Sequence, residues 1–590
     1  MSRIRSFLRN PSGNVAMIFA LTMPVIVVTA GMAVDTSKVE SSKWSMQRSL
    51  DAAALGAAKQ FGRTQDRAEL EHWASSLFFA NEGRNPADNT RFTYEGVTRK
   101  DGNNVLRVSA TRDIPTYFGG AVKAVTGGRL DLERWPVQAF SEVVVANRSI
   151  ELALVLDNSG SMERAPAGGG AAKITTLRDA TKKLVEEMLK SQPQANAKDP
   201  VRISVVPFAA SVNIGKDYAN ADWMDTKGIN PSHHDDLDWS KLAGAKQAAD
   251  GSWRLSNAPL TKFTIFEKLR QRRSDWGWGG CVQSRPEGFA ITDDTPDTRY
   301  PSTLFVPMFA PSEYDWSGTL SSVKNDYLPD ASKPSNSADA TALAKQRDVT
   351  KYFGTGAMDT RKGGPNSGCT TSAITPLTAT QSTVQSAVRD MQPLGGTNIA
   401  EGLAWGWRTL TSGQPFPEGR ARGTKENLKV VVLMTDGENT YNAAYTSGEQ
   451  IELTNANRSQ FGTYGYGQFL QTAPKQEKVR TGRMFEATKA TTPKAAITNI
   501  TAAMNETMSL TCENIKKDGT NDEGGDGVVI FAIAFDLKDG SPIKDRLRAC
   551  ASNGIDGKSA KLYYDAKNSS DLLTAFSSIT DEISALRIAR

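Results

Sequence analysis

The sequence predicts an α/β protein with a doubly wound, mainly parallel sheet and large insertions, preceded by a transmembrane helix and a small α+β module. Three observations support this prediction. From residue 151 onwards, apolar segments suited to buried strands alternate with amphipathic helical segments. An uncharged run of about 20 residues lies near the N-terminus. Segments of alternating polarity, typical of strands, follow that run within residues 90–146.

Composition excludes several classes of protein. A hydrophobic content of 39% and a charged content of 23% are typical of globular domains rather than of disordered chains. The net charge is only +5, from 70 basic and 65 acidic residues, so we expect no nucleic-acid partner. Four cysteines without a CxxC pair, together with only three histidines, argue against a Cys/His zinc site.

The N-terminus predicts a membrane anchor. The apolar run, residues 15–34, matches the hydrocarbon thickness of a bilayer. Basic residues precede it, and these are Arg3, Arg5 and Arg9. This charge distribution predicts a cytoplasmic N-terminus and an exported remainder. The alternative is a cleaved signal peptide with Val28-Thr29-Ala30 as its cleavage site, and both interpretations export residues 36–590.

The chain divides into four predicted parts. They are a basic tail (1–14), the transmembrane helix (15–34), a helix with a small α+β module (35–147) and the α/β domain (148–590). The α/β domain carries two predicted insertions, residues 213–370 and 440–485, which lack the repetitive composition of disordered linkers. In the first insertion we expect Trp276 and Trp278 to pack in a core, with a carbohydrate platform as the alternative. We expect His233-His234-Asp235-Asp236 to form a solvated loop rather than a metal site.

Polar side chains follow the predicted strands at one edge of the sheet. The strand 151–157 ends in the motif DNSGS, the strand 429–436 ends in TDG, and a GGTN loop precedes a helix that begins near residue 398. Because parallel strands end at the same edge, these loops can converge although they lie far apart in sequence. The gathered side chains are two carboxylates and three hydroxyls: Asp157, Ser159, Ser161, Thr397 and Asp436. Such hard oxygen ligands suit Mg²⁺ or Mn²⁺.

This pattern resembles the metal-ion-dependent adhesion site of von Willebrand factor type A domains, which have a Rossmann-like fold. The resemblance implies that Ser159, Ser161 and Thr397 contact the ion directly or nearly so. It implies that Asp157 and Asp436 act directly or through water, and that an acidic side chain of a partner fills an open coordination position. Two alternatives are a set of unrelated loop residues and an intact site that serves only stability. No histidine or general base accompanies the motif, so we expect a binding protein and not an enzyme.

The N-terminal segment resembles the TadE/TadG-like proteins of tight-adherence (Flp/Tad) pilus assembly. The shared features are Gly-Asn before the apolar run, Ala-Val-Asp at its end and Leu-Asp-Ala-Ala-Ala beyond it. A TadG-like protein joins such an anchor to a type A domain, which is the layout predicted here. Small pilins of that system carry Glu five residues after their cleavage site, where this chain has Ile18. This difference favours a retained anchor.

The resemblance implies a membrane-anchored, extracytoplasmic adhesion or assembly protein of a Tad-type pilus system. It implies a single-pass bacterial inner-membrane protein with its bulk in the periplasm or at the cell surface. Its partners would be pilus-assembly or envelope proteins, and it would have no small-molecule substrate. One alternative is a structural or glycan-binding envelope protein with a vestigial or purely structural metal site. Another is a type A subunit that serves an ATPase in metal chelation, but such subunits are cytosolic.

Export places the four cysteines in an oxidising compartment, where two disulfides are expected. Cys281 and Cys369 fall in the first insertion, whereas Cys512 and Cys550 fall in the last α/β units. We expect these two pairs, since helices that follow successive strands can be neighbours. Four cysteines allow three connectivities, and four reduced buried thiols are a further alternative.

Overall fold

The computed structural model describes most of the chain, in two compact units. The described residues are 11–61, 64, 66–83, 89–100, 103–145, 149–190, 201–286, 288–313, 325–328, 344–360, 363–369, 372–425, 427–440, 461–466, 493–519, 527–554 and 561–588. Residues 1–148 with 583–590 form one unit, and residues 149–582 form the other. Most of the predicted basic tail and of the insertion 440–485 lie outside the described residues.

The first unit is built on one long helix. Helix α1 (Pro11–Phe61) has 51 residues and contains both the apolar run and its amphipathic continuation. At 1.5 Å per residue it is about 77 Å long, more than twice the thickness of a bilayer core. Within the described residues it is the one helix that is long and apolar enough to cross a membrane. Leu21 and Val25 in the run are 76% and 56% exposed, so the protein itself does not cover this segment.

The second half of α1 packs against a small antiparallel sheet. The other elements of this unit are α2 (Arg67–Glu82), α3 (Gly119–Val125), β1 (Thr90–Lys100), β2 (Asn103–Pro115) and β3 (Arg134–Val145), with strand order β1-β2-β3. The three strands were predicted, but α2 was not. Leu50 of α1, Phe78 of α2 and Leu106 of β2 share one buried core. Met46 also lies in this core, whereas Trp44, two residues before it, is 65% exposed.

The second unit alternates strands and helices as predicted. Its helices are α4 (Lys173–Lys190), α5 (Lys262–Arg272), α6 (Thr350–Phe353), α7 (Gln381–Arg389), α8 (Ile399–Arg408), α9 (Pro493–Lys517), α10 (Pro542–Cys550) and most of α11 (Ser569–Ile588), whose residues from 583 onwards belong to the first unit. Its strands are β4 (Ser149–Asp157), β5 (Val201–Phe208), β6 (Ala245–Gln247), β7 (Trp253–Leu255), β8 (Ala258–Leu260), β9 (Thr375–Thr378), β10 (Asn427–Thr435), β11 (Phe461–Gly462), β12 (Gly465–Tyr466), β13 (Val529–Phe535) and β14 (Tyr563–Ala566).

The central sheet has six strands in the order β14-β13-β10-β4-β5-β9. Five of them are parallel, and the edge strand β9 is antiparallel to β5. All nine residues of β4 are buried. Because successive residues of a strand point to opposite faces, both faces of the sheet are covered. The predicted α/β fold with a mainly parallel sheet is therefore confirmed.

The first insertion packs through aromatic side chains against helix α8, which itself lies on the central sheet. It contains the three-stranded sheet β6-β7-β8 and helix α5, and these lie in the chain between β5 and β9. The ring centroids of Phe305 and Trp405 on α8 are 4.8 Å apart, and Trp223 lies edge-on to Phe305 at 5.9 Å. Trp276 and Trp278 are 5% and 9% exposed, which confirms that they pack in the core.

Both predicted disulfides are present. Cys281 bonds to Cys369 across 88 residues, and Cys512 on α9 bonds to Cys550 at the end of α10 across 38 residues. Such bridges stabilise the fold mainly by restricting the unfolded chain.

Replacing Cys512 and Cys550 by serine should lower the free energy of unfolding of the second unit by about 4 kcal/mol, because the bridge closes a long loop. Replacing Cys281 and Cys369 should cost slightly more, since that loop is longer. Urea denaturation followed by circular dichroism measures both losses. A loss below about 1 kcal/mol for either pair would contradict the chain-entropy explanation.

Candidate functional site

The ends of β4 and β10 place the predicted aspartates side by side. The two strands are adjacent and parallel, with Met434 opposite Leu156. The Thr435 hydroxyl, next in β10, donates to Asp157 Oδ2 at 2.6 Å. The Ser161 hydroxyl donates to Asp436 Oδ1 at 2.6 Å. Residues almost 280 positions apart in sequence thus share one hydrogen-bonded cluster.

The loop after β4 turns its serines towards this cluster. The backbone N–H of Ser159 donates to Asp157 Oδ1 at 2.8 Å, the hydrogen bond by which an aspartate stabilises a local turn. A short 3₁₀ turn, Gly160–Glu163, follows. It brings the hydroxyl oxygens of Ser159 and Ser161 to 2.9 Å from each other. Asp157, Ser159, Ser161 and Asp436 are therefore linked in one hydrogen-bonded series, through the backbone N–H of Ser159 and the two serine hydroxyls.

Thr397 lies at the same edge, immediately before α8. Thr397 and Thr440 are joined by two hydrogen bonds of 2.9 Å, from Thr397 N–H to the Thr440 hydroxyl and from Thr440 N–H to the Thr397 carbonyl. A Cβ at Gly437 would lie 3.2 Å from Thr397 Oγ1 and 4.0 Å from Ser161 Oγ. A side chain there would therefore project between the two hydroxyls. The structure brings all five predicted residues to one edge of the sheet.

Two further residues of the cluster, Lys173 and Asp536, were not predicted from the sequence. Lys173, the first residue of α4, places Nζ 3.0 Å from Asp436 Oδ2 and 2.8 Å from Asp536 Oδ2. Asp536 follows β13 and also accepts the backbone N–H of Ala167 at 3.0 Å. Its position after an apolar strand, like that of Asp157, was a signal that could have identified it. No spacing in the sequence distinguishes Lys173 from the other lysines of its helix.

Burial dominates the electrostatics of the cluster. Asp157 is fully buried, and the pKa of its carboxyl is raised to about 7. Desolvation is the largest cause and the nearby charge of Asp436 adds to it, whereas hydrogen bonds from Thr435 and Ser159 oppose the rise. Burial alone would lower the pKa of Lys173, but its hydrogen bonds to Asp536 and Asp436 outweigh this effect and raise it. Lys173 is therefore a permanent cation in the cluster.

The donor set fits a hard divalent ion. With all groups ionised, three carboxylates and one ammonium give the cluster a net charge of −2, and hydroxyl oxygens complete the set. Among the described residues, no three or more His, Cys, Asp or Glu side chains are grouped so that they could hold a metal by themselves. An ion here would therefore need Ser159, Ser161 and Thr397 as well as the aspartates.

The structure corrects the prediction for the histidine pair. His233 is fully buried rather than solvated. Its Nδ1 lies 2.8 Å from Asp225 Oδ2, and its Nε2 accepts the backbone N–H of Lys262 at 2.9 Å. His234 Nδ1 accepts the indole N–H of Trp239 at 2.9 Å. Both rings are thus structural elements of the first insertion, because each is held there by hydrogen bonds to other residues of the insertion.

Comparison with known proteins identifies a family for the N-terminal segment. Residues 13–60 match the family model described as "Flp pilus-assembly TadE/G-like". The resemblance of this segment to TadE/TadG-like proteins is confirmed. No curated protein matches the chain in sequence.

Similar solved structures include pilus proteins and von Willebrand factor type A domains. The pilus adhesin SpaC from Lactobacillus rhamnosus GG is 10% identical with a TM-score of 0.28; the match covers 85% of this chain and 35% of SpaC. The PilB minor pilin from Streptococcus sanguinis is 13% identical, with a TM-score of 0.28 and coverages of 84% and 78%. The vWF domain of the type V pili tip protein Mfa5 from Porphyromonas gingivalis is 12% identical, with a TM-score of 0.29 and coverages of 75% and 97%.

Asp157→Asn should change how stability depends on pH in chelator. Because the pKa of Asp157 in the folded protein is about 7, against 3.8 for the ordinary carboxyl, the folded state keeps a proton that the unfolded chain has lost. The contribution of Asp157 to the free energy of unfolding of the wild type is therefore present at low pH and is lost as the pH rises from about 4 to about 7. Asparagine cannot ionise, so the melting temperature of the variant relative to wild type should rise across this window.

The matched control is Asp179→Asn on the exposed side of α4. Its melting temperature should follow that of wild type across the same pH range. Parallel curves for wild type and Asp157→Asn would contradict a protonated Asp157 in the metal-free protein.

Proposed function

We propose that this chain is a membrane-anchored, extracytoplasmic protein of a Tad-type (Flp) pilus system that binds an acidic side chain of a protein partner through Mg²⁺ or Mn²⁺. The observation that carries the proposal is the oxygen cluster assembled from Asp157, Ser159, Ser161, Thr397 and Asp436 with Lys173 and Asp536, whose net charge is −2 when all three carboxyls are ionised. The TadE/G-like match of residues 13–60 supports the link to pili.

The proposed ion would be held by hydroxyl and carboxylate oxygens at the edge of the sheet. Ser159, Ser161 and Thr397 would supply neutral oxygens, and Asp157 and Asp436 would bind directly or through water. A bound divalent ion supplies an electropositive position that can accept a carboxylate from another protein. Ser161 and Asp157 already sit in fixed hydrogen bonds, so little rearrangement of these side chains would be needed.

The proposed location follows from α1. Its apolar segment is exposed and long enough to cross a bilayer, and basic residues precede it in the sequence. A cytoplasmic N-terminus and a location in the bacterial inner membrane, with the bulk in the periplasm or at the cell surface, agree with this charge distribution. The two disulfides are consistent with an oxidising compartment.

A second candidate is a structural or glycan-binding envelope protein in which the metal site is vestigial or purely structural. One observation favours it. Asp436 is compensated by Lys173 and accepts from Ser161, while both oxygens of Asp157 accept hydrogen bonds. The cluster is thus satisfied by the protein's own groups, so it can persist without an ion.

Thr397→Ala should weaken Mg²⁺ binding by about tenfold or more, because it removes one oxygen of the proposed site. Isothermal titration of the full chain in nanodiscs with MgCl₂ or MnCl₂ measures the affinity for the ion.

Capture of envelope proteins should require Mg²⁺ in wild type and be lost in chelator or in the Thr397→Ala variant. Thr383→Ala, at an exposed threonine of α7, is the matched control. Capture that is unaffected by chelator and by Thr397→Ala would favour the second candidate.

Lys173→Met should tighten Mg²⁺ binding by about tenfold or more, because the ammonium repels a second cation across a short distance. The same change should lower the melting temperature in chelator, since Asp436 and Asp536 lose their buried counter-ion. Lys182→Met, at an exposed lysine of the same helix, should change neither quantity. Unchanged or weaker Mg²⁺ binding by Lys173→Met would show that the ion does not bind beside Asp436.

A further inference from the structure

A loop of the first unit runs back along α1 towards the apolar run. This loop, residues 116–133, connects β2 to β3 and contains α3. At its start the Lys38 ammonium donates to the Pro115 carbonyl at 2.7 Å. The backbone N–H groups of Tyr117 and Phe118 then donate to Asp35 at 2.6 and 2.9 Å. Between Pro115 and Phe118 the loop therefore passes along α1 from the level of Lys38 to that of Asp35, the residue that follows the apolar run.

The Phe118 ring reaches further still, onto the apolar run itself. A Cβ at Gly31 would lie only 2.3 Å from Phe118 Cγ, so the ring sits directly on the helix backbone at this glycine. Gly31 is three residues inside the end of the run at Val34. At 1.5 Å per residue the ring therefore overlaps the run by about 5 Å. Any bilayer that surrounds the run up to Val34 must meet this loop.

Three charged side chains of this region, Asp35, Lys38 and Lys123, have partners inside the first unit. Asp35 is 3% exposed, and its two oxygens each accept a backbone N–H from the loop. Lys123 on α3 pairs with Asp131 at 2.8 Å. The Lys38 ammonium lies 3.8 Å above the centre of the Tyr117 ring. Lysine and tyrosine both have an apolar body and a polar end, which suits them to a boundary between apolar and aqueous phases.

The loop also exposes large apolar side chains. Tyr117 is 71% exposed, Val125 is 61% exposed and Leu130 is 53% exposed, all within 14 residues of one another. Tyrosine is enriched where proteins cross the boundary between hydrocarbon and headgroups. Apolar side chains of interfacial segments insert about 5–10 Å into that boundary, which agrees with the overlap of Phe118 with the run.

We propose that the 116–133 loop is an interfacial membrane contact: Tyr117, Val125 and Leu130 insert among the lipid headgroups of the leaflet on the C-terminal side of the span. The proposal rests on the membrane anchor of the proposed function, but not on the metal site. Besides connecting β2 to β3, the loop would then set the height of the first unit above the membrane and restrict the rotation of this unit about α1.

Fluorescent labelling of introduced cysteines tests the contact in the full chain. The four native cysteines form two disulfides, so a fifth cysteine is the reactive thiol. An environment-sensitive dye is attached at Val125→Cys or at Leu130→Cys, in phosphatidylcholine nanodiscs. The matched control is Val144→Cys, which is exposed near the other end of β3, about 33 Å along the strand from Arg134. Quenching by lipids that carry a doxyl group is compared with quenching by aqueous iodide.

The proposal expects doxyl-lipid quenching at both loop positions to exceed that at the control several-fold, with a blue-shifted emission and reduced iodide quenching. Iodide quenching at the loop equal to that at the control would overturn it. Protection from both quenchers would also overturn it, because the loop would then be covered by protein rather than by lipid.

A fourth label separates this proposal from the anchor on which it rests. Leu21→Cys places the dye in the middle of the apolar run, where the side chain is exposed. Doxyl quenching at Leu21 without quenching at the loop would retain the anchor and reject the interfacial contact. Absence of doxyl quenching at Leu21 as well would reject the anchor itself.

Discussion

The parallel pairing of β4 with β10 is the constraint on which the site depends. Its register places Leu156 beside Met434, so that Asp157 and Thr435 leave the sheet together. Residues 430–435 of β10 are buried like β4, and they sit between β4 and β13. A shift of one residue would move the Thr435 hydroxyl away from Asp157 and turn every apolar side chain of the strand to the other face. The core therefore fixes the geometry of the oxygen cluster.

Charge compensation is the second requirement of this edge of the sheet. Carboxylates removed from water need partners, and Asp157, Asp436 and Asp536 all end strands at the same edge. The protein supplies one cation, Lys173, between two of them. The pKa of Asp157 is raised to about 7 because its carboxyl is buried and lies near the charge of Asp436. A divalent ion would complete the compensation, which links the stability of this edge to the proposed binding role.

The residues that meet at this edge could be located from the sequence because each lies next to a recognisable strand or helix boundary. Asp157 and Asp436 end apolar strands, and Thr397 precedes the helix that begins at Ile399. The ion pairs of Lys173 could not be predicted, since Asp436 and Asp536 are distant in sequence. The burial of His233 could not be predicted because it depends on how the first insertion packs. The antiparallel edge strand β9 was also missed, because four residues give too little periodicity.

The membrane-spanning helix, the alternation of strands and helices, the two cysteine pairs and the group of residues at one edge of the sheet could all be predicted from the amino-acid sequence. These follow from periodicity and order along the chain, which need no knowledge of distant neighbours. Only the tertiary structure decided the ion pairs of Lys173, the raised pKa of Asp157 and the contact of Phe118 with Gly31. Ion pairs, pKa values and side-chain packing depend on burial and on groups brought together by folding, and these are properties of space rather than of sequence.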